Sequence, residues 1–143
     1  MLLINIISIV IPSLNTVKYI EQCLNSVASQ TINNFEVICV DAGSTDGTTE
    51  IIENFVRRDK RFLLISSNVK SYGYQMNLGI KSAKGKYLGI IEPDDFLDAN
   101  AFESLVNIAE KNNCDIVVLE TGLGGKTDAT NIEKTSVLSV ITS

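Results

Sequence analysis

The chain has 143 residues, 45% hydrophobic and 20% charged, which suits one folded domain with its own core and excludes a disordered segment. Its formal charge is −5, so no nucleic-acid partner is expected, since such a partner needs a basic face. His is absent and Cys23, Cys39 and Cys114 form no CxxC pair, which leaves no ligand supply for a zinc site or a His-based triad and reads as buried free thiols in a reducing compartment.

The apolar start, residues 1–11, lacks the basic region and the small-residue cleavage site of a secretory leader, and Asn5, Ser8 and Pro12 interrupt it. No stretch reaches the roughly 18–20 apolar residues of a membrane span. Residues 6–11, rich in branched side chains, predict a strand buried on both faces that Pro12 ends. Ile20, Cys23, Leu24, Val27 and Ala28 recur at helical spacing, with Asn15 or Thr16 as the N-cap. Residues 35–40 predict a second buried strand. Ile51, Ile52, Phe55 and Val56 stripe the next helix, which Asp46 caps; Arg57, Arg58, Lys60 and Arg61 lie toward its C-terminal end, where the dipole favours cations. Residues 62–65 predict a short strand, 74–83 a less regular helix with Gly85 as its C-terminal cap, and 87–91 a fourth strand. Phe102, Leu105, Val106 and Ala109 mark a helix running from near Asp98 to Asn112-Asn113, and residues 116–119 a fifth strand. Strands alternating with helices of this length predict an α/β fold with parallel pairing through right-handed crossovers. Residues 121–143 read as an irregular tail, in which residues 137–141 form a strand or a helix turn with no evident packing partner.

In an open parallel sheet, ligands bind beyond the carboxyl ends of the strands. Three polar clusters follow strands directly: Pro12-Ser13-Leu14-Asn15, Asp41-Ala42-Gly43-Ser44-Thr45-Asp46-Gly47, and Glu92-Pro93-Asp94-Asp95. Carboxylates two apart after a strand can present one side chain to a divalent ion, which prefers hard oxygen ligands, and the other to a ribose hydroxyl. Taken singly, the acidic cluster reads as a surface turn, and Gly43, Asp46 and Gly47 read as a turn and a helix cap. Neither GxxxxGK[ST] nor GxGxxG occurs, so the common triphosphate and dinucleotide fingerprints are missing.

Together, the order and spacing of these clusters resemble glycosyltransferase family 2 across about residues 6–120. The run from Ser8 to Asn15 is similar to that family's opening strand and P-x-x-N turn. Gln30-Thr31 followed by Phe35–Asp41, then Gly43-Ser44-Thr45-Asp46-Gly47, resemble its "NQT…EIIVVD" and "GSTDG" stretches. Asn77-Leu78-Gly79 with Ala83-Lys84-Gly85-Lys86-Tyr87 resembles its "N-x-G…A-x-G-x-Y" block, and Glu92-Pro93-Asp94-Asp95 stands where its DxD motif belongs. The resemblance implies a Rossmann-like GT-A three-layer sandwich with a mostly parallel sheet, truncated. Residues 1–120 would be its N-terminal nucleotide-sugar-binding part and residues 121–143 the tail.

It also implies roles. Asp41 would hold the uracil end of a UDP-sugar, with Pro12 and Leu14 lending backbone around the nucleotide. Glu92 would lie near the ribose or the sugar phosphate, Asp94 would bind Mg²⁺ or Mn²⁺, and Asp95 would contact the sugar or support the metal ligand. Asn15 and Asn77 would fix loops. Three positions depart from the family's pattern: Ala42 replaces a second Asp, Met76 replaces an Arg, and Glu92 replaces the first Asp of the triad. The implied activity is metal-dependent, inverting transfer of a sugar to a saccharide or lipid-linked acceptor in bacterial surface polysaccharide synthesis, in the cytoplasm at the inner face of the membrane. Glu120, Asp128 and Glu133 sit in no recognisable base motif, so the catalytic base is expected elsewhere and this chain is expected to be inactive alone and open to self-association. The alternative is a non-catalytic module that holds a nucleotide-sugar or docks on another subunit.

Overall fold

The computed structural model describes residues 5–113, 116–118 and 139–141. Strands β1 (Ile7–Ser13), β2 (Phe35–Asp41), β3 (Phe62–Ser66) and β4 (Tyr87–Ile90) form a parallel sheet in the order β3-β2-β1-β4. Helices α1 (Ile20–Ala28), α2 (Thr48–Arg58) and α3 (Tyr72–Ser82) connect them, and α4 (Ala101–Asn112) follows β4. Strands β5 (Ile116–Val118) and β6 (Ser139–Ile141) pair antiparallel as a separate ladder. Part of the tail is therefore a strand with a partner; its other residues lie outside those described.

The period-2 pattern of the strands sorts their side chains between two faces. Ile7, Ile9 and Ile11 of β1 and Phe35, Val37 and Cys39 of β2 pack with Leu24 and Val27 of α1, Ile52 and Phe55 of α2, and Phe102 and Leu105 of α4. Val10, Ile38 and Val40 point the other way and meet Met76 of α3. The result is the expected α/β sandwich of three layers. Cys23 and Cys39 are free and buried as the composition implied, while Cys114 lies outside the described residues.

The chain steps from β1 to β2 to β3 in one direction, then returns over the sheet through α3 to place β4 on the far side of β1. Strand order reverses between β1 and β4, and that reversal opens the crevice at their carboxyl ends. The return requires close approach. A Cβ on Gly79 would stand 2.3 Å from Val10 Cγ1, and one on Gly85 would stand 2.6 Å from Ser8 N and 2.7 Å from Ile7 C.

Several local expectations are corrected. Strand β1 does not end at Pro12 but runs through it to Ser13. Val10 O accepts from Ile91 N on one side and Ser13 O from Ala42 N on the other, so the backbone of Pro12 faces the β4 side just past the end of that ladder. Its missing N–H therefore breaks no pairing. The N-cap of α1 is Tyr19; Thr16 contributes only its carbonyl, which accepts from Tyr19 N and Ile20 N. Gly47, with φ of 104°, is the N-cap of α2, while Asp46 serves from one residue earlier by accepting from Thr48 N at 3.0 Å. Gly85 does not cap α3, which ends at Ser82 with Ala83 as its C-cap; it is the glycine that lets the approach to β4 lie against β1. The N–H groups of Lys84 and Gly85 donate to Ser8 Oγ there, and Lys84 N also to Glu36 Oε1.

Gly85→Ala is expected to lower the urea midpoint with an unchanged slope, costing about 1–3 kcal/mol, because the new methyl meets backbone that cannot give way. Gly73→Ala is its control: it is exposed in α3 with nothing within 4 Å of an added Cβ, so it should stabilise by about 0.5–1 kcal/mol.

Candidate functional site

The carboxyl ends of β1 and β2 are locked to each other by short polar side chains. Ser13 pairs in register with Asp41, and the two loops that follow exchange hydrogen bonds. Asn15 adopts a left-handed conformation, φ 53°, in which its N–H donates to Ser44 Oγ and its Oδ1 accepts from Thr45 N, both at 2.9 Å. Asp46 Oδ2 accepts from Val17 N at 3.1 Å, and Thr48 Oγ1 accepts from Thr16 N at 2.8 Å. The Thr48 hydroxyl, with the N–H groups of Val17 and Thr48, holds the Asp46 carboxyl below the usual carboxylate range. Gly43, φ 81°, makes the turn between the strand and these contacts.

Within that turn Asp41 is 2% exposed. Its carboxylate accepts from Ser44 N at 3.0 Å, from Ser44 Oγ, and from Thr49 Oγ1 at 3.0 Å. Pro12 is buried beside it, whereas Leu14 projects from the loop. Ser13 Oγ and Thr16 Oγ1 are buried without a partner among the described residues. Ala42, where the resemblance leads one to look for a second Asp, is fully buried; a carboxylate there would sit in the core.

The acidic cluster leaves β4 on the other side of β1. Glu92 is half-buried and its Oε1 accepts from the Tyr72 hydroxyl at 2.5 Å. Its carbonyl accepts from Asp95 N at 3.1 Å and from Cys23 Sγ at 3.7 Å. Asp94 is exposed, while Asp95 is turned inward at 3% exposure. Burial, followed by the charges of Asp95, Asp94 and Glu92, pushes the Cys23 thiol up to about 12, which leaves it an inert neighbour of the loop.

Two glutamines anchor these loops. Gln30, 5% exposed, donates to Ser26 O and Asp98 O and accepts from Phe102 N, so the end of α1 holds both the segment after the acidic cluster and the first turn of α4. Thr31 assists through Ala99 O and Glu103. Gln75 of α3, 4% exposed, donates to Ser13 O at 2.8 Å and Val40 O at 2.7 Å, joining the tips of β1 and β2 from the opposite face. The sequence signalled Gln30 only as part of a motif, and Gln75 and Tyr72 not at all. A polar residue beside Met76 on the buried stripe of α3 was the available clue. Asn15 fixes a loop as expected, whereas Asn77 is exposed and makes no side-chain hydrogen bond to a described residue. Met76 packs against the sheet.

No three His, Cys, Asp or Glu side chains among the described residues are preassembled to hold a metal ion. Magnesium-like ions are commonly bound by one or two carboxylates, with phosphate oxygens and water completing the shell. An exposed Asp94 beside a half-buried Glu92 fits that kind of site and not a closed protein cage.

A model of the family described as glycosyl transferase family 2 matches residues 8–136. The chain is 36% identical over 115 residues to the uncharacterized glycosyltransferase EpsJ of Bacillus subtilis, covering 80% of this chain and 33% of that protein. It is 34% identical over 116 residues to the poly(ribitol-phosphate) beta-glucosyltransferase of Bacillus spizizenii, covering 78% of this chain and 18% of that one. The crystal structure of S. aureus TarS 1–349 in complex with UDP-GlcNAc superposes with a TM-score of 0.76 at 28% identity, over 90% of this chain and 38% of that one. The chain thus spans well under half the length of these relatives, and what it matches is the N-terminal part of a GT-A fold. With that family model spanning most of its length, the chain belongs to glycosyl transferase family 2.

Proposed function

We propose that the chain binds a UDP-linked sugar together with Mg²⁺ or Mn²⁺, as the donor side of transfer to a saccharide or lipid-linked acceptor in bacterial surface polysaccharide synthesis. The observation that carries this reading is the convergence of the Asp41 loop and the Glu92–Asp94 loop on either side of β1, at the point where strand order reverses. The TarS complex with UDP-GlcNAc and the activity named for the B. spizizenii relative support UDP as the nucleotide and a cell-surface polymer as the setting.

Each side chain has a task in this reading. An ionised carboxylate has about four acceptor positions, and Ser44 and Thr49 fill three at Asp41, leaving one for the N–H of the base. Pro12 and Leu14 place backbone beside that base. Glu92 accepts from the ribose, Asp94 is the metal ligand, and Asp95, turned inward, contacts the sugar or supports that ligand. The ion, when bound, stabilises the departing nucleoside diphosphate as a Lewis acid. An inverting transfer also needs a carboxylate to take the acceptor's proton. Glu120, Asp128 and Glu133 lie outside the described residues, and we assign the base to none of them. No described helix is long and apolar enough to cross a membrane; we place the work in the cytoplasm, at the inner membrane face where a lipid-linked acceptor would sit.

Calorimetric titration of UDP with and without Mn²⁺ tests the reading. Asp94→Ala should abolish the Mn²⁺ enhancement and leave the unfolding free energy within about 0.5 kcal/mol of wild type, since an exposed loop side chain carries little of the fold. Enhancement that survives would remove Asp94 from the metal site. Asp41→Asn should weaken UDP while sparing pyrophosphate with metal; equal losses would move Asp41 to the phosphates. With a radiolabelled UDP-sugar and a saccharide acceptor, the 143-residue chain should bind donor and transfer none, because general-base assistance alone is worth about 10²–10⁴ in rate. Brisk transfer would put the base within these residues.

A further inference from the structure

The contact between Tyr72 and Glu92 crosses the mouth of the crevice from the first residue of α3 to the first residue after Ile91. We infer that Tyr72 is a positioning residue for the donor: it holds the Glu92 carboxylate in the one orientation from which its other oxygen meets the ribose hydroxyls. The inference rests on the donor reading above and adds to it a residue outside the stretches that carry the family resemblance.

Both ends of the contact are fixed. On the Tyr72 side, α3 begins at an N-cap, Ser71, whose side chain accepts from Tyr74 N. One residue further, Gln75 ties this first turn to the carbonyls of Ser13 and Val40, the tips of the two strands that flank the base site. The phenol is thereby referenced to the nucleotide end of the crevice. On the Glu92 side, the backbone is held by Cys23 and Asp95 N, and buried Pro93 follows it. The Glu92 side chain is held by Tyr72.

The fold does not need this bond. Tyr72 is 53% exposed, and a hydrogen bond at such a site adds little net stability. Its effect falls on binding instead. A free glutamate loses rotamer freedom when it captures a ligand hydroxyl, whereas a pinned one has already lost it. The aromatic residues agree with this placement. Phe35, Phe55, Phe62, Tyr87 and Phe102 are core residues, while the exposed Tyr19, Tyr72, Tyr74 and Phe96 all lie in connections at the carboxyl edge of the sheet or in the first turn of α3 at that edge.

The test is a double-mutant cycle on Tyr72→Phe and Glu92→Gln, read by calorimetry with Mn²⁺ and two ligands, UDP and 2′,3′-dideoxy-UDP. Tyr72→Phe should weaken UDP about threefold to tenfold, keep the wild-type affinity for the dideoxy ligand, and keep the wild-type urea midpoint. In the Glu92→Gln background it should add nothing further, since it acts only through that carboxylate. Unchanged UDP affinity in Tyr72→Phe overturns the inference while leaving the donor reading standing. So does an equal loss for both ligands, with or without a fall in midpoint, or losses that multiply in the double variant. A wild-type chain that binds neither nucleotide in the presence of Mn²⁺ overturns the donor reading and this inference with it.

Discussion

The packing of α3 onto β1 through Gly79 is the constraint on which the crevice depends. A parallel strand on the far side of β1 needs a connection that crosses over the sheet, and here α3 is that connection. With 2.3 Å between a would-be Cβ and Val10 Cγ1, any other residue at position 79 would lift the helix from the strand. The descent from α3 is equally tight at Gly85, where Ser8 and Glu36 take up the N–H groups of the turn. Because α3 lies this low, Gln75 reaches the carbonyls of both Ser13 and Val40 from above the sheet. The geometry at the ligand end is thus set by contacts that no ligand touches.

The α/β class, the strand sequence and the three loop clusters were legible because each rests on a local pattern: continuous branched runs, helical stripes, and polar turns directly after strands. Helix starts were less legible. Asn15, Thr16 and Asp46 are good capping residues by type, yet each is engaged in joining the β1 and β2 loops, and the cap positions passed to Tyr19 and Gly47. Asn15 Oδ1 is taken by Thr45 N and one Asp46 oxygen by Val17 N, whereas Thr16 joins the loops only through its backbone N–H. Gly85 was misjudged for a related reason: glycine after a helix serves as a C-cap or permits a close approach, and only the neighbouring strand tells which.

Site residues divide along the same line. Asp41, Glu92, Asp94 and Asp95 announce themselves by charge at a strand end. Gln30, Gln75 and Tyr72 give no such notice, since their partners are 68 and 72 residues away for Gln30, 62 and 35 for Gln75, and 20 for Tyr72. Long-range hydrogen bonds to backbone carbonyls leave no periodic trace in the chain. Family motifs record some of them, as with Gln30-Thr31, without stating the reason. The structure supplies it: Gln30, itself buried, satisfies the Asp98 carbonyl and the Phe102 N–H.

The charge distribution bears on why a metal belongs to the proposed reading. Helices in this fold run opposite to the strands they cover, so their C-termini gather at the amino edge of the sheet. Arg57 and Arg58 end α2, Lys81 ends α3 and Lys111 ends α4, with Lys60, Arg61, Lys84 and Lys86 in the turns beyond. Cations at that edge complement the helix dipoles. The carboxyl edge is the reverse, with Asp41, Asp46, Glu92, Asp94, Asp95 and Asp98 set against Lys18 and Lys70 in the same connections. Two like unit charges 4 Å apart repel by about 4 kcal/mol at an effective dielectric of 20, so a diphosphate placed among these carboxylates would be expelled unless something intervened. Helix N-termini offset part of that repulsion, but only at close range. In the proposed reading, a divalent ion at Asp94 would reverse the sign of the interaction where the phosphates would lie. An acidic crevice and an anionic donor become compatible through it, and the same carboxylates that repel the bare nucleotide are what would draw the ion in.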